Sequence, residues 1–322
     1  MARASSDERI ELAAGEATAL VEVAAGGRLG SLSLGGHELL IGSGAVPGAG
    51  PDGPEPIAWG LYPMAPWAGR IRHGRFSSGG VEHRLPLTLP PHAIHGTAYT
   101  SADWRVAGGG TRSADGLTAS ADGLTASADG LSAGADGLSA GADGLSARTV
   151  EIAVELGDPW PWPARVEQRI GLGPDRLRLE LTLANHAPPG SAPMPASIGW
   201  HPWFRRRVAG AEAQLRFPAA SMFELDPDGI PTGRLVPPPP GPWDDCFTDL
   251  AGPPVIAWPG VAELTLTSSC RCWVVYDRPA HALCVEPQTD APDAVNRLPR
   301  CELAAGETLT AWFEIRWRET TP

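Results

Sequence analysis

Two short stretches of this sequence set a titratable side chain among aromatic or apolar residues and next to a proline, where proton chemistry is easiest to build. In Ile198-Gly199-Trp200-His201-Pro202-Trp203-Phe204 the proline biases His201 toward an extended backbone, and aromatic rings stand on both sides. An imidazole so placed can donate a proton near neutral pH, since its ordinary pKa is about 6.5. A buried core histidine would look the same. The indoles of Trp200 and Trp203 can offer flat apolar faces to a ring-shaped ligand. In Ala282-Leu283-Cys284-Val285-Glu286-Pro287-Gln288-Thr289 an apolar run ends on a glutamate held before proline. Loss of water raises the pKa of a carboxylate at the end of a buried strand, which suits a general base. A capping or salt-bridged glutamate is the other reading of Glu286.

Two further stretches carry groups suited to gripping a ligand. The loop from Gly60 to Phe76 is made irregular by its prolines and glycines, and Arg70 sits well inside it. A guanidinium has five donors in a fixed plane, matched to vicinal hydroxyls or a carboxylate, or to loop carbonyls if its role is structural. In Pro91-His92-Ala93-Ile94-His95-Gly96, a glycine after His95 permits close approach, so His95 can donate to a ligand oxygen. As a lone residue it also reads as an ordinary hydrogen-bonding histidine. No CxxC, HExxH or carboxylate at ligand spacing accompanies the histidine pair, so no metal is expected there.

The elements that must position these groups are strands. Val150–Leu156, Leu177–Leu183, Glu263–Thr267 and Trp312–Trp317 alternate apolar and polar residues, and Arg165–Ile170 does so more weakly. Period two marks strands with one buried and one wet face. Glycine (39) and proline (34) are abundant, which favours many turns over long helices. Short strands divided by such turns predict an all-β, antiparallel sandwich with few short helices, in one large domain spanning 1–322. No βαβ alternation supports a doubly wound or barrel enzyme.

One segment differs in kind. From Ser113 to Ala147 a seven-residue unit of the form SADGLTA occurs five times. Only one position per unit is strongly apolar and each unit carries Asp-Gly, so a coiled coil is not expected. The segment reads as a polar insertion in a surface loop, mobile and without chemistry. Its deletion is expected to leave folding and activity nearly intact, as measured by thermal melting and turnover.

Composition excludes several functions. The net charge is −12, and the basic residues are all arginine, without the clustered basic face that nucleic acid requires. Five cysteines, Cys246, Cys270, Cys272, Cys284 and Cys301, contain no CxxC pair and read as reduced thiols. The stretch Met1–Leu20 is interrupted by Glu8, Arg9, Glu11 and Glu16, and nothing resembles a membrane span. A cytoplasmic protein, monomeric or homodimeric, is expected, with neither nucleic acid nor membrane as partner.

Taken in order, the arginine loop, the His-Gly pair, His-Pro-Trp-Phe, Asp244-Asp245-Cys246-Phe247 and Glu286-Pro287-Gln288 with Pro292-Asp293-Ala294-Val295-Asn296 resemble the aldose 1-epimerase, or galactose mutarotase-like, family. The resemblance covers nearly all of the chain outside the repeat. It implies a large antiparallel β-supersandwich with its active site on a concave sheet face. By position it makes His201 the general acid and Glu286 the general base, with Arg70, His95, Asp244 and Gln288 binding the sugar. Asp245 is a second candidate for the aspartate. The chain departs from the family's common Asn-Arg-Ile triplet in having Gly69-Arg70-Ile71. The implied reaction interconverts the anomers of a free aldohexose and needs neither metal nor nucleotide cofactor. Arg205, Arg206 and Arg207 suggest a hexose-6-phosphate as the alternative substrate. A non-catalytic sugar-binding protein and a two-carboxylate glycoside hydrolase are the other readings.

Overall fold

The computed structural model describes residues 8–50, 53–107 and 148–319. The seven-residue repeat therefore lies outside the described residues. Among those described, every helical element is a three-residue 3₁₀ turn and the rest of the regular structure is antiparallel β.

The five alternating segments all lie in one eight-stranded sheet. Val150–Leu156 belongs to strand Arg148–Leu156, Arg165–Ile170 to Ala164–Leu172 and Leu177–Leu183 to Arg176–Asn185. Glu263–Thr267 and Trp312–Trp317 fall within Ala262–Ser268 and Thr308–Glu319. The alternation has a direct physical result: Leu177, Leu179, Leu181 and Leu183 are fully buried while the residues between them are only partly so. Each such leucine contributes roughly 1.5–3 kcal/mol by leaving water. They pack in one core cluster with Leu12, Leu29 and Leu32 of the other large sheet, which identifies the pair of sheets as a sandwich.

That second sheet has twelve strands. Along its main path it runs from Arg9–Ala14 through Ala17–Glu22, Arg28–Leu34, Leu61–Met64, Gly199–Pro202, Ala282–Gln288, Cys272–Tyr276, Asp244–Leu250 and Ala219–Leu225 to Pro231–Val236. Four motifs that are far apart in sequence thereby become neighbours. His201 pairs with Tyr62, Gly199 with both Met64 and Gln288, Val274 with Glu286, and Asp244 with Tyr276.

Two glycines make this crowding possible. A Cβ on Gly199 would stand 2.3 Å from the Pro287 carbonyl oxygen. Gly96, at φ +77°, lies against the loop that bears Arg70, and a Cβ there would fall 1.9 Å from the Ala65 carbonyl oxygen. Next to it His95 itself takes φ +60°, a left-handed conformation uncommon outside glycine. Its backbone N–H donates to Gly69 O at 3.0 Å, and Thr97 and Ala98 donate to Ala65 O at 2.9 and 3.1 Å. Gly96→Ala is accordingly expected to destabilise the protein by at least about 2 kcal/mol, from left-handed strain plus overpacking. Chemical denaturation would check this; an unchanged midpoint would show that the loop relaxes freely.

Candidate active site

Strand alternation sorts the side chains around the central strands. Trp200 points into the core, fully buried, and its indole N–H donates to Gln168 Oε1 at 3.0 Å; Gln168 Nε2 in turn donates to Gly27 O at 2.7 Å. His201 therefore projects from the opposite face. On Ala282–Gln288, Leu283 and Val285 join the core between the sheets, while Glu286 and Gln288 line a cavity of about 230 Å³ on the other face. His95, His201, Arg70, Asp244 and Asp245 line the same cavity. All six site residues expected from the sequence are thus brought together, as is the second aspartate. Of the two tryptophans, Trp203 lines the cavity and Trp200 does not, because adjacent strand positions face opposite ways.

The floor of the cavity is a buried pair. His201 Nε2 stands 3.2 Å from Glu286 Oε1, and their side chains are 5% and 2% exposed. The imidazole is held nearly parallel to Tyr62 (centroids 4.9 Å, 25°) and to Trp203 (5.2 Å, 13°), with His95 edge-on at 5.0 Å. Burial pushes the Glu286 carboxyl well above the usual carboxylate range, and the Asp244 charge adds to this. Burial also pushes the His201 imidazole down to about 3, and His95 well below its ordinary value, the latter aided by His201 and Arg70. Both effects disfavour a separated ion pair in this dry site. Burial therefore favours a protonated Glu286 carboxyl beside a neutral His201 imidazole.

The walls are polar. Arg70 Nη2 donates to Asp244 Oδ2 at 3.2 Å, both side chains about one quarter exposed. Asp245 Oδ2 accepts from the Asp244 backbone N–H at 3.0 Å, so it is Asp244 that meets the arginine. Gln288 Nε2 lies 3.4 Å from Glu286 Oε2. Gln288 Oε1, His95 Nδ1 and His201 Nδ1 are buried with no hydrogen-bond partner among the described residues. Such atoms are costly unless a ligand satisfies them.

Arg28 was not picked out from the sequence, and the Pro-Asp-x-x-Asn motif was noted there without a role. Arg28, 1% exposed, lies beneath Tyr62 and Trp59, at 5.1 and 4.2 Å from their ring centroids. Asp293 Oδ1 accepts from the Arg72 backbone N–H at 2.9 Å and from Asn296 Nδ2 at 2.8 Å, while the Asp293 N–H donates to Arg70 O at 2.7 Å. The Pro-Asp-x-x-Asn motif therefore anchors the backbone that presents Arg70. Its fixed spacing was the available signal.

Among the described residues, His95, His201 and Glu286 also bring one donor atom each within 4.8 Å of one another. Two imidazoles and a carboxylate are a donor set able to hold a transition-metal ion. Arg205, Arg206 and Arg207 are directed elsewhere. Arg205 donates to Leu40 O at 2.9 Å, Arg206 to the carbonyls of Asp277, Pro279 and Ala282, the last two at 3.2 and 3.0 Å, and Arg207 pairs with Glu212 at 3.3 Å. None of the three lines the cavity.

The raised carboxyl has a consequence for stability. Because folded Glu286 holds its proton above the pH at which the unfolded residue releases it, stability falls as pH rises through that window. Glu286→Gln removes this dependence. As pH rises above the ordinary carboxylate range, the variant's melting temperature is expected to rise relative to wild type. A difference that stays constant with pH would contradict the assignment.

The sequence of residues 138–250 matches the model of the aldose 1-epimerase family. None of the curated proteins matches the chain. Solved structures do. A galactose mutarotase-like protein from Clostridium acetobutylicum aligns with a TM-score of 0.74 at 17% identity, covering 99% of this chain and 98% of its own. An aldose epimerase homologue from C. elegans gives 0.69 at 16%, covering 98% and 99%. Galactose 1-epimerase from Lactobacillus acidophilus NCFM gives 0.69 at 14%, covering 99% and 97%. The architecture is thus the galactose mutarotase-like fold. Residues 138–250 are similar in sequence to the aldose 1-epimerase family, and the chain as a whole shares the galactose mutarotase-like fold.

Proposed function

We propose that the protein is an aldose 1-epimerase that interconverts the α and β anomers of a free aldohexose, with Glu286 as base and His201 as acid. The observation that carries this reading is the 3.2 Å contact between His201 Nε2 and Glu286 Oε1 at the floor of a cavity walled by hydrogen-bonding groups.

Ring opening removes the proton from the C1 hydroxyl and delivers one to the ring oxygen, as the C1–O5 electron pair moves onto O5 and O1 becomes a carbonyl oxygen. Glu286 takes the first proton and His201 gives the second. The pair then stands as carboxylic acid and neutral imidazole. Rotation about C1–C2 presents the other face of the aldehyde, and closure runs the transfers backward. Ring opening starts from the carboxylate–imidazolium form, which differs from the favoured neutral form only in whether one proton sits on His201 Nε2 or on Glu286 Oε1. Each positioned acid or base contributes roughly 10²–10⁴-fold, so the two together lower the barrier by about 5–11 kcal/mol if independent. Arg70, His95, Asp244 and Gln288 bind the hydroxyls and orient the ring. Trp203 lines the cavity while its ring packs flat against the His201 imidazole and holds it in place.

A 6-phosphate substrate draws no support from Arg205–Arg207, whose guanidinium groups are occupied at loop carbonyls and Glu212. The free thiols of all five cysteines support a reducing, cytoplasmic setting. No helix among the described residues is long and apolar enough to cross a membrane. The test is polarimetry on freshly dissolved α-D-glucose and α-D-galactose. Acceleration over the spontaneous rate is expected with at least one; none with either sugar or with glucose 6-phosphate would favour a binding protein.

A further inference from the structure

Among the described residues, His95, His201 and Glu286 gather two imidazoles and a carboxylate at the cavity floor. All three are buried, and one donor atom of each lies within 4.8 Å of the others. We propose that these three side chains bind a divalent transition-metal ion of the zinc class, and that ion and sugar exclude one another. The ion site stands on geometry; only the exclusion of sugar rests on the aldose 1-epimerase reading.

The distances fit an ion of that size. Zinc binds imidazole nitrogen at roughly 2.0–2.1 Å and carboxylate oxygen at roughly 2.0–2.2 Å, so two donors on one tetrahedral ion stand about 3.3 Å apart. His201 Nε2 and Glu286 Oε1 are 3.2 Å apart, one edge of such a tetrahedron. By the same bond lengths, two imidazoles on one ion have ring centroids about 5.2 Å apart. Those of His95 and His201 are separated by 5.0 Å, with the rings at 87°. Turning the His95 ring about its soft χ2 torsion closes what remains of the 4.8 Å span.

The surroundings favour a cation. Three carboxylates, Asp244, Asp245 and Glu286, line the cavity against one guanidinium, Arg70, itself paired with Asp244 at 3.2 Å. His95 Nδ1 has no hydrogen-bond partner among the described residues, so that nitrogen is committed to no protein group. The His201 ring is clamped between Tyr62 and Trp203, and the His95 backbone N–H is tied to Gly69 O at 3.0 Å. Two of the three donors therefore need little ordering before they bind.

The donor types select the ion. Imidazole suits zinc, copper, iron and nickel, whereas magnesium and calcium prefer oxygen ligands. Two histidines and a glutamate form a three-ligand zinc site with a fourth position open, here toward the cavity. The consequence is inhibition. The ion sits on His201 Nε2 and Glu286 Oε1, the two atoms that move protons in the proposed reaction, and the proton it displaces from the pair leaves to solvent.

The experiment titrates zinc chloride into the intact protein by calorimetry, and cobalt(II) by visible absorption, beside His95→Asn and Cys246→Ser. Asparagine accepts the left-handed backbone at position 95 (φ +60°) and removes only the imidazole. Cys246 lines the same cavity and is the competing soft ligand. Wild type and Cys246→Ser are expected to bind one zinc ion per chain, to give the absorption of four-coordinate cobalt(II), and to ignore magnesium. His95→Asn is expected to bind zinc at least about tenfold more weakly, since even losing the outer partner of a ligand lowers affinity by roughly 10–100-fold. Zinc is also expected to abolish mutarotation of glucose or galactose by wild type, with recovery on adding EDTA. No zinc bound, or zinc bound equally well by His95→Asn, would overturn the site. Binding that vanishes in Cys246→Ser alone would overturn it too. Zinc held through His95 without loss of mutarotation would overturn the exclusion of sugar. A protein that binds zinc through His95 yet accelerates no sugar would sink the epimerase reading and leave the ion site standing.

Discussion

Glu286→Gln is expected to lower kcat for mutarotation by roughly 10²–10⁴-fold while KM changes little, and His201→Asn by a similar factor. Both replacements keep approximate volume and a polar tip, so the cavity and its walls persist. What each removes is the site's capacity to hold or release a proton. In the proposed cycle the proton that Glu286 accepts from O1 and the one His201 gives to O5 belong to one event, so neither partner works alone. The double variant is therefore expected to lose scarcely more than the worse single one, as groups acting as a unit do. Polarimetry gives the rates, and circular dichroism with a melting curve shows that the variants remain folded. A folded variant with near wild-type kcat would remove its residue from the acid–base role. Full multiplication of the two losses would show that the pair acts in separate steps.

The parts of the architecture that could be read from sequence are those in which one strand face is wet. Leu177, Leu179, Leu181 and Leu183 alternate with Arg178, Glu180 and Thr182, and that period alone gives a strand. The central strands of the other sheet carry no such signal. All four residues of Leu61–Met64 and all seven of Ala282–Gln288 are buried, because the core covers one face and the cavity wall the other. A strand covered on both faces reads as an unpatterned apolar run. Glu286 and His201 stood out because they interrupt such runs beside proline. Their neighbour Tyr62 did not, since an aromatic residue within an apolar run is ordinary, and its pairing with His201 depends on a register that local periodicity does not contain. The error at Trp200 has a simple origin. Residues adjacent on a strand face opposite ways, so Trp200 and His201 could not both reach the cavity. Arg70 meets Asp244, and the neighbouring loop is held by the backbone contacts of Asp293.

The largest loss of stability from a single change is expected at Arg28, where Arg28→Met should cost about 3–5 kcal/mol. The guanidinium is 1% exposed, and burial draws its pKa down to about 10. Its partners are carbonyls: Nε donates to Ala25 O at 2.5 Å, Nη1 to Pro56 O at 2.6 Å and Trp59 O at 2.9 Å, and Nη2 to Tyr99 O at 2.8 Å. Methionine fills part of the volume and satisfies none of these oxygens, and each one left buried without a donor costs about 1–3 kcal/mol. Water entering the gap recovers part of this, so the sum is not reached. For a chain of this size the loss corresponds to a fall in melting temperature of roughly 6–15 °C. The effect should also reach the site. Arg28 ties the 56–59 turn to Tyr99 and lies under Tyr62, whose ring stacks on His201, and Ile57 and Ala58 line the cavity. Arg28→Met assayed well below its own melting temperature is therefore expected to retain the acid–base chemistry with a raised KM, because the wall shifts while Glu286 and His201 remain. Calorimetry beside steady-state polarimetry separates the two consequences. A melting point within about 2 °C of wild type would mean that other donors reach the four carbonyls and that Arg28 is not the residue holding this corner of the sheet together.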